Sequence, residues 1–317
     1  MKKFRLFALL TVLALFLAAC GSGDDNKESG KSEETKDETL TITHELGETK
    51  VKKNPEKVVV FDFGVLDSLK ELGVEVAALP KMAIPPYLSE FEDEKYENVG
   101  SLKEPDFEKL SEIQPDLIII SARQAELYDQ FEEIGPTLYL GINYENYVDS
   151  FKNNMKLLGQ IFDKEDEVEK KLAEIDDAIK AVNDKAAASG KKALIVLANE
   201  GKVSAYGPKS RFGFVHDVLG VQPVDENIEA STHGQSISFE YIVEKDPDIL
   251  YVIDRGAAIG QGQDQPAKQV IENDLVKNTK AYKEGNIVYL DPSYWYLSGG
   301  GFISMKEMIA EIDKSLK

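Results

Sequence analysis

Phe107-Glu108-Lys109-Leu110-Ser111-Glu112-Ile113-Gln114-Pro115-Asp116-Leu117-Ile118-Ile119-Ile120-Ser121-Ala122-Arg123 returns without a gap, 132 residues later, as Phe239-Glu240-Tyr241-Ile242-Val243-Glu244-Lys245-Asp246-Pro247-Asp248-Ile249-Leu250-Tyr251-Val252-Ile253-Asp254-Arg255. Phe, Glu, Glu, Pro, Asp and Arg recur in register. Each copy reads as a helix opened by an acid, a Pro-Asp break that a helix interior does not tolerate, and a continuous apolar strand ending at an arginine. A unit repeated at this separation predicts two lobes of similar build, with the two arginines at matched strand ends. Helix-Pro-Asp-strand is also a common local sentence, so coincidence is the competing explanation.

Outward from the repeat, short apolar runs alternate with helical patterns: Val58 to Phe61, Leu138 to Leu140, Ala193 to Ala198 and Ile287 to Leu290. Such runs predict strands covered on both faces. Between the two halves lies Glu165 to Ser189, with Val168, Leu172, Ile175, Ile179, Val182 and Ala186 on one helical stripe and Gly190 as the stop. The stripe also suits a coiled coil, but a lone helix between two α/β halves favours a stiff connector, about 37 Å long at 1.5 Å per residue. The expected fold is therefore α/β, with two lobes built on central, mostly parallel sheets and joined by one long rigid helix. The N-terminal lobe is placed at 39–160, the connector at 161–190 and the C-terminal lobe at 191–317, a division that 317 residues comfortably allow.

The chain opens with Lys2, Lys3 and Arg5, a mostly apolar run from Leu6 to Ala19, and its single cysteine in Leu17-Ala18-Ala19-Cys20. Residues 1–19 read as a signal segment. The apolar run is short against the roughly 20 residues a bilayer span needs. The last four residues resemble a bacterial lipobox, which implies cleavage before Cys20 and lipid on its sulfur. Residues 20–38 then form a lipidated cysteine and an acidic tether with no large apolar side chain. Removing Lys2, Lys3 and Arg5 from 37 Lys+Arg leaves 34 against 57 Asp+Glu, a net of about −23. That charge argues against nucleic acid, and it requires any anionic ligand to be held by a local basic pocket.

Of the 37 Lys+Arg only four are arginine, and past the signal segment three remain: Arg123, Arg211 and Arg255. A chain that otherwise carries its positive charge on lysine keeps arginine where a rigid five-donor fork is needed. Arg123 and Arg255 end apolar strands, where open α/β sheets bind ligands. Arg211, in Gly207-Pro208-Lys209-Ser210-Arg211-Phe212, reads as the start of a helix capped by Ser210. Lys103 and His233 sit in small polar loops before the two repeat helices, whereas His44 and His216 look structural. Tyr294-Trp295-Tyr296 precedes Gly299-Gly300-Gly301, and three adjacent aromatics cannot all face a core. At least one is expected at the ligand, able to stack on an aromatic group.

Two other function classes fit the sequence less well. Capture of a bare transition metal needs clustered His and carboxylates, and the three histidines are scattered. A cell-surface hydrolase would need a nucleophile elbow or metal motif; the sequence has no Gly-x-Ser-x-Gly and no His-Glu-x-x-His, so no enzyme is expected.

Taken together, the lipobox, Lys57-Val58-Val59-Val60-Phe61-Asp62, Val99-Gly100-Ser101-Leu102-Lys103-Glu104-Pro105, Glu108 with Pro115-Asp116-Leu117, the lone central helix, Gly207-Pro208-Lys209-Ser210-Arg211 and Ile253-Asp254-Arg255-Gly256 resemble the siderophore and vitamin B12 class of periplasmic-type binding proteins. The likeness runs from about residue 40 to the end. It is strongest to petrobactin-type ferric-siderophore lipoproteins of Gram-positive bacteria. The resemblance implies a monomer on the outer face of the cell membrane that hands an anionic ferric siderophore to an ABC permease dimer with its ATPase subunits. It assigns Lys103, Arg123, Arg211, His233 and Arg255 to the cleft, and Glu108 and Glu240 to permease docking. The siderophore supplies the donors to Fe(III), so neither a cofactor nor a protein metal ligand is expected.

Overall fold

The computed structural model describes residues 38–260 and 266–316, so the signal segment, Cys20 and all of the tether except Glu38 lie outside the described residues. A hairpin of β1 (Thr39–His44) and β2 (Gly47–Lys52) leads into β3 (Val58–Val60), β4 (Ala78–Leu79), β5 (Glu97–Asn98), β6 (Leu117–Ile120) and β7 (Thr137–Tyr139). The last five form a parallel sheet in the order β5-β4-β3-β6-β7. The second half supplies β8 (Lys192–Asn199), β9 (Lys202–Tyr206), β10 (Gln222–Pro223), β11 (Gln235–Ile237), β12 (Ile249–Asp254) and β13 (Ile287–Leu290). Its order is β11-β9-β8-β12-β13, with β10 also on β8; β8, β10, β12 and β13 run parallel, while β9 is antiparallel to both β8 and β11.

Strand alternation explains why the apolar runs are continuous. In β6, Leu117 and Ile119 face a large central core and Ile118 and Ile120 an outer one. In β12, Ile249, Tyr251 and Ile253 face that same central core, and Leu250 and Val252 a second outer one. Each sheet is thus covered twice, and neither face of a central strand tolerates a polar side chain.

The repeat is structural as well as textual. The helices Phe107–Ile113 and Phe239–Lys245 keep the 132-residue offset at both ends, and each stops on a left-handed residue, Gln114 (φ 53°) and Asp246 (φ 41°). The shared Pro-Asp has a definite job. Asp116 Oδ2 accepts the Lys57 N–H at 2.8 Å and Asp248 Oδ2 accepts the Lys192 N–H at 2.9 Å. The backbone N–H of each aspartate returns a 2.9 Å bond to the carbonyl of the same lysine. Each copy therefore clamps the residue from which the neighbouring central strand starts, β3 in one lobe and β8 in the other.

The connecting helix spans Glu165–Ser189 and ends at Gly190, whose φ of 62° suits glycine. Val168, Leu172, Ile175, Val182 and Ala186 are buried in the central core, and Ile179 packs at its edge. Lys171 pairs with Glu71 of the first helix (Phe63–Glu71) at 2.6 Å, and Glu174 with Lys306 of the last helix (Phe302–Ser315) at 2.7 Å. The last helix also packs directly on the first, so a second connection runs beside the connector. At that contact a Cβ on Gly301 would lie 2.3 Å from the Asp67 carboxylate, which is fully buried and hydrogen-bonded in place. Gly301→Ala is expected to lower stability by about 1–3 kcal/mol through overpacking. Urea unfolding measures this, and an unchanged midpoint would mean that the interlobe contact yields freely.

Candidate functional site

Because the central strands are parallel, their carboxyl ends gather at one edge of each sheet, and the segments that follow them line a cavity of about 340 Å³. Asp62, Arg123, Leu140 and Ile142 reach it from one half; Arg211, Thr232, His233 and Tyr296 reach it from the other.

Arg123 sits on a 3-10 turn, Ala122–Leu127, directly beyond β6. Ser121 and Gln124 close that turn as a capping box, and Gln124, fully buried, reaches on to donate to the Leu102 carbonyl at 2.6 Å. One glutamine thereby fixes the Arg123 turn and the loop bearing Lys103 relative to each other. Lys103 is exposed and lines the cavity, as does His233. The His233 loop turns at Gly234, where φ is 73° and a Cβ would lie 2.7 Å from the Tyr206 ring; only glycine suits both conditions.

Arg211 corrects one expectation. No helix begins at Ser210: the helix there is Phe214–Asp217, and the buried Ser210 hydroxyl donates back to the Gly207 carbonyl at 2.6 Å. Asp217 Oδ2 accepts the Lys209 N–H at 2.6 Å, closing the loop as a turn. Arg211 is therefore presented by a clamped turn, and no helix dipole contributes.

The three arginines converge on one residue. Arg123 and Arg211 both donate to the Tyr296 backbone carbonyl, at 2.6 and 2.7 Å. The Arg211 guanidinium lies over the Tyr296 ring, 4.3 Å from its centroid. Arg255 donates from Nε to the Tyr296 hydroxyl at 3.1 Å and from Nη1 to Asn199 Oδ1 at 2.9 Å. Arg255 thus stands one layer behind the cavity wall and acts on it through Tyr296. Burial and then the nearby Arg211 lower the pKa of Arg123. Burial alone would raise the Tyr296 phenol, but the Arg255 hydrogen bond and the fields of all three arginines outweigh it and hold the phenol below its ordinary value. The cavity is a cationic site in an acidic protein, its arginines held by the Tyr296 carbonyl, the Tyr296 phenol and the Asn199 amide oxygen.

The aromatic run divides differently from a three-residue ligand platform. Ser293–Leu297 is a π-turn, so successive side chains fan around it. Trp295 is buried, only 3% exposed, with Phe214 edge-on at 6.4 Å and its Nε1–H donating to Glu311 at 2.7 Å; it floors the cavity as part of the core. Tyr294 turns away to pack on Tyr87 at 4.9 Å and is not in the lining. Of these three, Tyr296 is the one that faces the site as a polar aromatic, beside Tyr144 and Tyr147. Asp62, Tyr144 and Asn154 also line it and escaped the sequence reading. Asp62 had a signal, since it stands between β3 and the first helix, which it caps through Gly64 and Val65.

His44, hydrogen-bonded to Thr49, and His216, buried against the Val221 carbonyl, serve the fold. Glu108 and Glu240 are exposed second residues of the two repeat helices. Each helix leads directly into the apolar strand of its own lobe, β6 or β12. Among the described residues no group of three His, Cys, Asp or Glu side chains is placed to hold a metal ion.

The chain is 54% identical, over 321 residues and the whole of both chains, to the petrobactin-binding protein YclQ of Bacillus subtilis (strain 168). The crystal structure of that protein superposes with a TM-score of 0.86 at 55% identity, covering 88% of this chain and 99% of that one. The ferric-anguibactin-binding protein FatB of Vibrio anguillarum is 36% identical over 87% of each chain. The periplasmic catecholate-siderophore binding protein VctP of Vibrio cholerae superposes with a TM-score of 0.83 at 35% identity, covering 87% of this chain and 100% of that one. The family model described as periplasmic binding protein matches residues 58–294, and with that match the chain belongs to the periplasmic binding protein family.

Proposed function

We propose that this protein binds an anionic ferric siderophore, petrobactin or a related catecholate, in the cavity between its lobes and delivers it to an ABC permease for iron uptake. The observation that carries the reading is the meeting of Arg123, Arg211 and Arg255, drawn from both halves of the chain, on Tyr296. A guanidinium has five N–H donors, and the bonds to Tyr296 occupy one each on Arg123 and Arg211. The remaining donors suit the oxygens of a bulky anion, each charged hydrogen bond contributing about 1.5–3 kcal/mol. Lys103 and His233 meet the ligand from the rim. Glu108 and Glu240 dock the two permease subunits, their equivalence in the repeat suiting a two-fold partner. Cys20 carries the lipid that holds the protein at the outer face of the membrane, and 20–38 is the tether.

The test is a panel of ferric siderophores titrated into the protein while the emission of Trp295, on the cavity floor, is followed. Submicromolar binding of ferric petrobactin or a close anionic catecholate is expected. A neutral ferrioxamine should bind about two orders of magnitude more weakly, the deficit of one to two lost charged hydrogen bonds. Equal affinity for neutral and anionic complexes removes the charge mechanism; a response to free metal alone favours a metal-binding protein.

A further inference from the structure

Asp67 lies on the first helix, fully buried, and the cavity chemistry described above does not use it. It sits where the lobes touch. Its Oδ1 accepts the Ile303 N–H at 3.1 Å and its Oδ2 the Ser304 N–H at 2.9 Å, so a side chain from the N-terminal lobe caps the last helix of the chain. From Oδ2 a line of hydroxyls runs toward the cavity. Tyr87 Oη stands 3.1 Å from Asp67 Oδ2 and 2.7 Å from Ser298 Oγ, and Ser298 Oγ stands 2.7 Å from the Ser293 carbonyl. Ser293 and Ser298 bracket the π-turn that holds Tyr296, the residue on which the arginines meet.

Proton counting constrains this line. Three oxygen-to-oxygen contacts need three protons, the two hydroxyls supply two, and a carbonyl has none to give. With Asp67 ionised, one contact is left without a proton. With Asp67 protonated, each contact has one donor: Asp67 to Tyr87, Tyr87 to Ser298, and Ser298 to the Ser293 carbonyl. A lone pair on Oδ2 still accepts the Ser304 N–H. We propose that Asp67 is a positioning residue for the ligand cavity, holding the Tyr296 turn through this directed chain when it carries a proton. The proposal rests on the anion-site reading of that cavity. Burial is consistent with it, because loss of water raises the Asp67 pKa to about 7 against the lowering effect of Ser304, Ile303 and Tyr87. The groups around it do not supply a competing charge at contact. Ser68 lies beside it on the first helix, Tyr87 faces it from the 3-10 segment, and Tyr294 stacks on Tyr87 from the π-turn. The packed helices also carry the pairs Lys70 with Glu90, Lys171 with Glu71 and Lys306 with Glu174, and Glu307 and Glu311 of the last helix act with Asp67 on the neighbouring Tyr294.

Two measurements on the full chain test it. Infrared difference titration of the ligand-free protein should show a protonated-carboxyl band at pH 6 that fades as pH rises through about 7 and is missing in Asp67→Asn. Ferric petrobactin affinity should be about threefold to tenfold weaker in Tyr87→Phe than in wild type at pH 6, the effect of one hydrogen bond. The two should converge above pH 8, where the wild-type chain has lost its proton; taking the ratio cancels titration of the siderophore itself. Absence of the band, or a ratio that does not change with pH, overturns the proposal. Arg211→Ala separates the two readings: unweakened petrobactin binding in that variant overturns the anion site and the positioning role with it, whereas a normal Arg211 effect without the band overturns the role of Asp67 alone.

Discussion

Replacement of Arg211 by alanine is expected to weaken binding of an anionic ferric siderophore by about two to four orders of magnitude while leaving the fold intact. The arithmetic is direct. Two charged hydrogen bonds at about 1.5–3 kcal/mol each amount to roughly 3–6 kcal/mol, and each 1.36 kcal/mol is a factor of ten. Arg211 is the best placed of the three for this effect. It projects from a clamped turn, lies 4.3 Å over the Tyr296 ring, and shares the Tyr296 carbonyl with Arg123, so its planar fork is already oriented before the ligand arrives. Arg211→Lys keeps the charge but loses the fork and the stacking, so it should recover only part of the affinity. Isothermal titration at two salt concentrations makes the comparison, and partial burial predicts a weak salt effect. The idea sinks if Arg211→Ala and wild type bind the anionic complex alike, or if the variant loses a neutral complex just as strongly.

The features legible in the sequence were those with a period or a scarcity. The repeat set both lobes because Pro-Asp has a geometric duty, the clamp from Asp116 to Lys57 and from Asp248 to Lys192, that recurs wherever the unit recurs. The connecting helix was legible because Val168 through Ala186 all face one core. Arginine scarcity pointed to three residues that meet on Tyr296, because few positions need a fork. Contacts made across long sequence separations were illegible. That Tyr296 would gather three arginines depends on a π-turn, and nothing in Tyr294-Trp295-Tyr296 distinguishes a π-turn from a strand end. The same turn sent Trp295 into the core and Tyr294 toward Tyr87. Asp67 read as an ordinary helical acid, because its partners Ile303 and Ser304 lie more than two hundred residues away.

Removing both rim carboxylates, Glu108→Ala with Glu240→Ala, is expected to leave ferric siderophore affinity within about twofold and to reduce uptake by the cell at least tenfold, since truncating one partner of a docked charge pair typically costs 2–5 kcal/mol. The two acids are exposed, occupy equivalent positions of a duplicated helix, and belong to two different lobes. A ligand small enough for a cavity of about 340 Å³ has no use for carboxylates in such places, and an anionic one would be repelled by them. A two-fold partner that carries one basic site per subunit has use for both. Each single variant should therefore show roughly half of the lost docking free energy, because each acid would meet a different subunit of the partner. Radiolabelled iron uptake, measured beside siderophore affinity on the same variants, decides the matter. Loss of affinity in the double variant would put the acids in the ligand site, and undiminished uptake would remove them from docking.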